Sequence, residues 1–431
     1  MTSRAAPYLR LLRNNSAFRR LYVAQLISFA GDWFATVALL GLILELTNSA
    51  TAASLVLVIQ TGVFALASPV AGAMADRLDR KRLMVFADFA RVPVALALML
   101  AKSPETLWIC FLALALMALG AAVFEPTSSA AMPNLVEEDE LGDANVLMGS
   151  AWGVMLAVGA AIGGLVAATL GRDAAFAINA ASFALSGLII VGITRPFQRA
   201  HATSAALDQA QHDHGTGPLG SIRVVIHFAS RSRMLAALLV SKTIFGVGTG
   251  VILMFAVFGR EVFHDGDLGI GLLYAARGLG ALLGPFIAKS IMGTENRGII
   301  RGILGSVITV GVSYALFPLS PSIWIAALLV FCAHLGGGAQ WFLSTFGLQR
   351  AAPDEIRGRV FSFDYGLVTL SIAASTLLSG YLAENFSPEI AVWTMVSLIA
   401  IAGLAWFLFA RPILSTPSPP APRATQVPDA A

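Results

Sequence analysis

The sequence predicts an all-α membrane protein with twelve transmembrane helices in two halves of six. Three observations support this fold class. Hydrophobic residues make up 57% of the 431 residues and charged residues only 12%, whereas soluble domains average about 25% charged residues. The apolar residues form twelve long, continuous runs, and sequence features of the first half recur in the second half.

The apolar runs predict helices because a helix satisfies its own backbone hydrogen bonds within lipid. About 20 apolar residues cross the hydrocarbon core, whereas strands of a membrane barrel would be shorter and would alternate in polarity. The twelve predicted spans are 21–47, 53–75, 83–101, 107–132, 146–170, 174–194, 234–258, 268–292, 298–319, 323–349, 360–383 and 390–410.

The connections divide the chain into five predicted segments. They are an N-terminal segment (1–20), the first half (21–194), a linker (195–233), the second half (234–410) and a disordered tail (411–431). The linker is polar and holds a short amphipathic piece near Ile222–Phe228. The first run is too long for the apolar part of a signal peptide, so we expect it to remain as a span.

Lys and Arg residues predict the orientation in the membrane. Of the 28 such residues, 20 lie in the chain ends and in the connections on the same side, and 3 lie in the loops of the opposite side. Short loops rich in Lys and Arg stay in the cytoplasm. We therefore expect a protein of the cell (inner) membrane with both termini and the linker in the cytoplasm.

An internal repeat supports the division into halves. Pro133 follows the fourth span, and Pro353 follows the tenth in a similar setting. Gly72, at the end of the second span, corresponds to Gly284 in the eighth. Transporters built from two similar halves bind their substrate between the halves, near the membrane midplane.

The loop between the second and third spans carries the most specific motif. It reads Gly72-Ala73-Met74-Ala75-Asp76-Arg77-Leu78-Asp79-Arg80-Lys81-Arg82. This segment resembles the signature loop of the major facilitator superfamily, which has a glycine, three residues, Asp-Arg and a basic cluster. It departs at Asp79, where the general pattern has glycine. An aspartate there resembles the third class of drug:proton antiporters, which includes macrolide-efflux proteins and the enterobactin exporter.

Other segments resemble the same subgroup, so that the resemblance covers nearly the whole chain. They are Gly31-Asp32-Trp33, Asp88-Phe89-Ala90-Arg91, Phe124-Glu125-Pro126, Phe176-Ala177-Ile178-Asn179 and Arg357-Gly358-Arg359-Val360. The resemblance implies the major facilitator fold and secondary transport by alternating access. It also implies efflux of drug-like or siderophore-like molecules in exchange for protons.

The signature loop also has a physical interpretation of its own. Gly72 lets helices approach closely, and Asp76 can pair with arginines or with the positive end of a helix dipole. Such contacts can form in one conformation and break in another. The predicted gating residues are Gly72, Asp76, Arg77, Arg80, Lys81 and Arg82. Alternatively, the three basic residues at its end only anchor the topology.

The fifth span contains Gly159-Ala160-Ala161-Ile162-Gly163-Gly164. This segment resembles the antiporter motif of drug exporters, although that motif has proline where Ala160 stands. The other interpretation is that its small residues let neighbouring helices pack closely.

Three charged residues lie deep within predicted spans. Asp32, Glu125 and Arg277 are candidates for substrate binding and proton coupling, because charges within spans are costly and usually face the interior or a water-filled cavity. Burial favours the neutral form of a carboxyl group, so an acidic side chain could bind a proton from one side and release it to the other. Arg277 stays charged and could pair with a carboxylate or hold an anionic substrate.

The remaining intramembrane charges have structural interpretations. Asp88 and Arg91, spaced i and i+3 on one helix face, are assigned with Arg357 and Arg359 to an inner-surface charge network. Three other charged residues lie near the ends of spans, where their side chains can reach the interface. They are Glu45, Lys242 and Asp364.

The sequence disfavours several other classes of function. It holds no nucleotide-binding loop, which argues against ATP-driven transport, and no convincing pair of nucleophile and base, which argues against an enzyme. His212-Asp213-His214 fits a solvated loop better than a metal site, and no basic stretch indicates nucleic acid. We expect a monomer in lipid that uses no cofactor and binds small molecules and protons. The alternatives are an importer or a lipid or metal-ion transporter on the same fold, and a non-transporting receptor or assembly factor.

Overall fold

A computed structural model of the protein describes residues 6–137, 140–197, 218–292, 295–352 and 357–415. Most of these residues are helical. Twelve helices in the described ranges are long and apolar enough to cross a membrane. This confirms the predicted fold class of twelve spans in two halves of six.

The helices of the first half precede residue 198. They are α1 (Ala6–Asn14), α2 (Ser16–Thr47), α3 (Ala50–Arg77), α4 (Arg80–Ala97), α5 (Leu107–Leu135), α6 (Leu141–Thr169) and α7 (Arg172–Val191). The short helix α1 precedes the first span, and the sequence did not predict it. Leu11 in α1 is buried against the ends of α5 and α6, so α1 packs on the bundle at the end that carries the chain termini.

The helices of the second half follow the linker. They are α8 (Pro218–Arg231), α9 (Arg233–Gly248), α10 (Val251–Val257), α11 (Gly266–Met292), α12 (Asn296–Leu316), α13 (Ile323–Ala351), α14 (Arg357–Asn385) and α15 (Pro388–Ser415). Helix α8 contains the predicted amphipathic piece. Helices α9 and α10 together form the seventh span, which ends in a π-helical turn at Phe258–Val262.

Short polar segments determine where several spans begin. The side chains of Asn15, Ser49 and Asp79 accept hydrogen bonds from backbone N–H groups in the first turns of α2, α3 and α4. Such caps satisfy donors that the helix itself leaves unpaired. Asn48 adopts the left-handed conformation with φ 48°, which allows the tight turn between α2 and α3.

Packing between helices defines the two halves and the contact between them. In the first half α2 packs against α6 and α7, and in the second half α9 packs against α14 and α15. The halves meet where α6 packs against α11 and α3 packs against α14. The arrangement leaves space between the halves, at the centre of the bundle.

Candidate functional site

A cavity of about 320 Å³ lies between the two halves. Its size fits a small-molecule site, since such pockets measure about 300–1,000 Å³. All three charged residues predicted to contact substrate or protons, Asp32, Glu125 and Arg277, line this cavity. Its other polar and aromatic lining residues are Phe29, Trp33, Thr36, Gln60, Thr61, Phe64, Trp152, Thr249 and Thr376.

Asp32 faces the cavity from the middle of α2. The preceding Gly31 lets α2 lie close to α7, because a Cβ atom at Gly31 would lie 2.7 Å from the Asn179 side-chain oxygen. The Asp32 carboxylate is 4.0 Å from the guanidinium of Arg91. The Gly31-Asp32 pair therefore combines a helix contact with a charge at the cavity wall.

Arg91 and Asp88 form an ion pair inside the first half rather than at its inner surface, where the sequence analysis assigned them. Asp88 is 0% and Arg91 2% exposed. Arg91 donates to Asp88, and the Ser186 hydroxyl donates to the other Asp88 oxygen at 2.6 Å. The guanidinium also lies 4.1 Å from the centre of the Phe183 ring. Both residues lie two to three turns into α4, about 12–17 Å from its start, which is too deep for the surface.

Glu125 faces the same cavity from α5. No basic side chain among the described residues lies within 4.0 Å of the Glu125 carboxylate, the distance that joins Asp32 to Arg91. Asp32 and Glu125 thus form one wall of the cavity, and the nearby Arg91 is already paired with the buried Asp88. This wall carries an excess of acidic groups, and it can accept protons or a cationic group.

Arg277 lines the cavity from α11 in the second half, with three aromatic rings near its guanidinium. Its guanidinium carbon is 6.0 Å from the ring centre of Trp33, 5.8 Å from that of Trp152 and 5.7 Å from that of Tyr274. At such distances a cation is attracted to the electron-rich ring faces. Among the described residues no carboxylate pairs with Arg277, in contrast to Arg91 and Arg172. The site therefore has an acidic wall and a separate basic, aromatic wall.

The cavity is closed at the end of the bundle opposite the chain termini. Glu45 and Arg172 of the first half and Arg260 and Asp267 of the second half form an interhalf charge cluster there. Arg172 contacts Glu45 at 2.9 Å and Asp267 at 2.8 Å, and Arg260 contacts Glu45 at 2.9 Å. These ion pairs join the halves, so separation of the halves at this end must break two of them.

The interhalf charge cluster is not predicted by the sequence. The position of Glu45 near a span end predicts that it reaches the interface, and Arg172 and Arg260 are identifiable only as loop charges. One signal was present, because the loops of this side hold only three basic residues, and two of them belong to the cluster. Their partners could not be identified, since they are separated by 95 to 215 positions along the chain.

Glycines show that the halves are tightly packed at the closed end and diverge towards the termini. A Cβ atom added at Gly271 of α11 would lie 2.9 Å from the Cα atom of Gly164 in α6. Further along the same helix pair, a Cβ atom at Gly153 would have its nearest neighbour at 3.5 Å, and one at Gly149 would meet nothing within 4 Å. Helices α6 and α11 therefore separate towards the end of the bundle that carries the termini.

Helices α3 and α14 show the same divergence. A Cβ atom at Gly380, near the closed end, would lie 3.0 Å from the Ser54 side chain. At Gly62 and Gly366, nearer the other end, it would meet nothing within 4 Å. Among the described residues, both interhalf contacts therefore become looser towards the termini.

The described side chains of the signature loop bind within the first half. Asp79 caps α4 by accepting the Arg82 N–H at 2.8 Å, which accounts for an aspartate where glycine is usual. Arg80 donates to the Ala130 carbonyl at 2.8 Å and Lys81 to the Ile193 carbonyl at 2.7 Å. The side chains of five predicted residues lie outside the description, namely Gly72, Asp76, Arg77, Arg357 and Arg359. His212-Asp213-His214 also lies outside the described residues.

A second buried ion pair lies in the second half. Lys242 of α9 and Asp364 of α14 are 2.5 Å apart, and each is 1% exposed. The sequence predicts that both residues lie near the ends of their spans, where their side chains can reach the interface. The structure buries them instead, with the Lys242 ammonium 5.0 Å from the centre of the Trp341 ring. This pair does not line the cavity, and it joins α9 to α14 within one half.

Comparison with known proteins identifies relatives along the whole chain. Residues 5–423 match the model of a family described as transmembrane secretion effector. The chain is 27% identical over 379 residues to the protein named as the bacilysin exporter BacE of Bacillus subtilis (strain 168), covering 87% of this chain and 90% of that one. It is 22% identical over 372 residues to macrolide efflux protein A of Streptococcus pyogenes, covering 85% and 89%. It is 27% identical over 380 residues to the multidrug efflux pump Tap of Mycolicibacterium fortuitum, covering 84% and 88%.

Solved structures share the fold. A bacterial homologue of the human lysosomal transporter Spinster superposes with a TM-score of 0.72 at 16% identity, covering 94% of this chain and 98% of that one. A POT family transporter in complex with a thioalcohol-conjugated peptide superposes with a TM-score of 0.73 at 13% identity, covering 93% and 96%. The fold, the twelve spans and the family match together show that the chain is a membrane transporter of the transmembrane secretion effector family within the major facilitator superfamily.

Proposed function

We propose that this transporter exports small drug-like or siderophore-like molecules in exchange for protons, by alternating access. One observation carries the proposal: the acidic wall of Asp32 and Glu125 faces a cavity between two halves that are joined at the end opposite the termini. Both carboxyl groups line the cavity, where water and a transported molecule can reach them. Protons and the transported molecule would occupy this space in turn.

The closed end supports an alternating mechanism. The interhalf charge cluster and the Gly164–Gly271 contact hold the halves together at that end. We infer that a rocking motion of residues 21–194 against residues 234–410 breaks these contacts and closes the opposite end. The segment 195–233 would link the two moving units. The signature loop, with Asp76, would form its own contacts at the end that closes.

We infer that the end carrying the chain termini is cytoplasmic in the inner membrane, because 20 of the 28 basic residues lie on that side. The structure then has its cavity open to the cytoplasm. A reporter enzyme that is active only in the cytoplasm, fused after Ala431, should be active. A fusion that is active only outside the cytoplasm would contradict this orientation.

The relatives support export over import. Three of the proteins similar to this chain are named for efflux or export, although each is 27% identical or less. An importer on the same fold would have the same cavity, so direction needs its own test. A receptor without transport activity would gain nothing from three charged residues facing a cavity, since such residues are costly in a membrane.

Export can be tested in cells that lack their own major drug exporters. We expect expression of this protein to lower the accumulation of at least one member of a panel of macrolides, quinolone acids, siderophores and short modified peptides. Collapse of the proton gradient with a protonophore should restore accumulation. Greater accumulation in the expressing cells would indicate import, and an unchanged panel would contradict the proposed class of cargo.

A further inference from the structure

Arg277 is a half-buried cation at the cavity wall, and the described residues supply no counter-ion for it. Two other arginines, Arg91 and Arg172, do pair with buried carboxylates, and each lies within 3 Å of its partner. Three aromatic rings lie within 6.0 Å of the Arg277 guanidinium, and no described residue forms an ion pair or hydrogen bond with it. A charge in such a position is costly unless it is paired or hydrated.

We propose that Arg277 binds an anionic group of the exported molecule, of the carboxylate class, within the cavity. This proposal rests on the export function proposed above and names the chemistry of its cargo. Guanidinium presents five N–H donors in a planar fork that matches the two oxygens of a carboxylate. The sequence alone left two partners open for Arg277, a protein carboxylate or an anionic substrate, and the structure favours the second.

The aromatic residues around Arg277 restrict how the anionic group can approach. Trp33 comes from the first half, and Tyr274 from the second, with ring centres 5.9 Å apart. Trp152 completes the wall, at 6.2 Å from Trp33. The Trp33 and Trp152 rings line the cavity beside the guanidinium, whereas Tyr274 is fully buried. A carboxylate that is attached to a flat or apolar body could bind Arg277 while its body packs on the Trp33 and Trp152 rings.

The acidic wall explains why the anionic group would be bound at Arg277 and nowhere else in the cavity. Asp32 and Glu125 repel an anion, whereas they favour a proton or a cationic group. A cargo molecule therefore has one preferred orientation, with its anionic group towards α11 and any basic group towards α2 and α5. Because Trp33 and Arg277 belong to different halves and both line the cavity, binding at this wall contacts both moving units.

Binding can be measured on the purified full-length protein in detergent, through the fluorescence of its tryptophans, two of which line the cavity. The probes are matched pairs of an acid and its primary amide: N-benzoyl-phenylalanine, alanyl-tyrosine and nalidixic acid, each with its amide. We expect at least one acid to bind about tenfold or more tightly than its amide, as charge-assisted hydrogen bonds predict. Arg277→Gln should remove this preference, and Arg277→Lys should retain part of it.

Arg301→Gln is the matched control, because Arg301 is exposed on α12 outside the cavity; it should keep the preference for acids. The comparison of acid with amide in the parent protein does not depend on the folding of any variant. Three results would each overturn the proposal: equal binding of acids and amides, an acid preference that survives Arg277→Gln, or no binding of any acid. The binding measurement uses no pH gradient, so a protein that does not couple transport to protons would still show the acid preference. Gradient-driven export of uncharged molecules only would contradict the proposed cargo chemistry and leave the proposed export function standing.

Discussion

Replacement of Gly271 by valine is expected to reduce export by at least about tenfold and to leave the cavity open at the end that is closed in the structure. The helix backbones of α6 and α11 touch here, and a Cβ atom at Gly271 would already lie 2.9 Å from the Gly164 Cα atom and 2.6 Å from the Ala160 carbonyl oxygen. Overpacking costs about 1–3 kcal/mol, and a shift of about 1.4 kcal/mol changes a conformational equilibrium tenfold.

The conformational effect can be measured with a single cysteine at Thr61, which lines the cavity, in a chain whose Cys110 and Cys332 are replaced by alanine. A membrane-impermeant thiol reagent should label this cysteine from the side of the chain termini in the parent protein. In Gly271→Val, labelling from the opposite side should predominate. Gly305→Val is the matched control, because a side chain at Gly305 would meet nothing within 4 Å. Identical labelling of both variants would show that the α6–α11 contact does not hold the closed end.

Hydropathy was sufficient to predict the twelve spans because the membrane imposes a length and a composition on each helix separately. The observed α6, Leu141–Thr169, starts five residues before the predicted fifth span, 146–170, and ends one residue before it. Helix α1 escaped prediction because it is only 9 residues long and does not cross the membrane. Local sequence thus carries the information for a span but not for a helix that packs on the bundle surface.

The candidate site was predictable residue by residue, but its pairing was not. Asp32, Glu125 and Arg277 were each identifiable as costly charges within spans. Nothing in the sequence shows that Arg91 lies between Asp32 and Asp88, or that Lys242 meets Asp364 at a separation of 122 positions. Such contacts depend on how helices are arranged around one another, which the hydropathy of a single helix does not determine.

The charge of Asp32 is expected to be essential for proton coupling. Asparagine keeps the size of the side chain and mimics the protonated carboxyl group permanently, so the residue could no longer bind and release a proton. The fold should survive, because Arg91 retains its contact with the buried Asp88 and Asp88 retains its bond from Ser186. Asp32→Asn should therefore purify in the same amount as the parent and bind the exported compound, but lose transport that depends on a pH gradient.

Asp173→Asn provides the matched control for this substitution. Asp173 also carries a carboxylate within an ion pair, but it is largely exposed and pairs with the exposed Lys102 outside the cavity. Exposed ion pairs contribute little to stability. This variant should transport like the parent, which separates the role of Asp32 from a general effect of removing one negative charge.

Proton-coupled transport through this cavity is tested most directly in proteoliposomes with an imposed pH gradient, using the compound whose export the cell panel identifies. The parent protein and Asp173→Asn should accumulate that compound on the acidic side and stop when the gradient is collapsed. With Asp32→Asn, accumulation of the compound under the same gradient should not exceed that in protein-free liposomes. The variant should still exchange the compound across the membrane when no gradient is imposed. Full gradient-driven accumulation by Asp32→Asn would show that Asp32 does not couple protons to transport, and accumulation by the parent that is independent of the gradient would contradict proton coupling altogether.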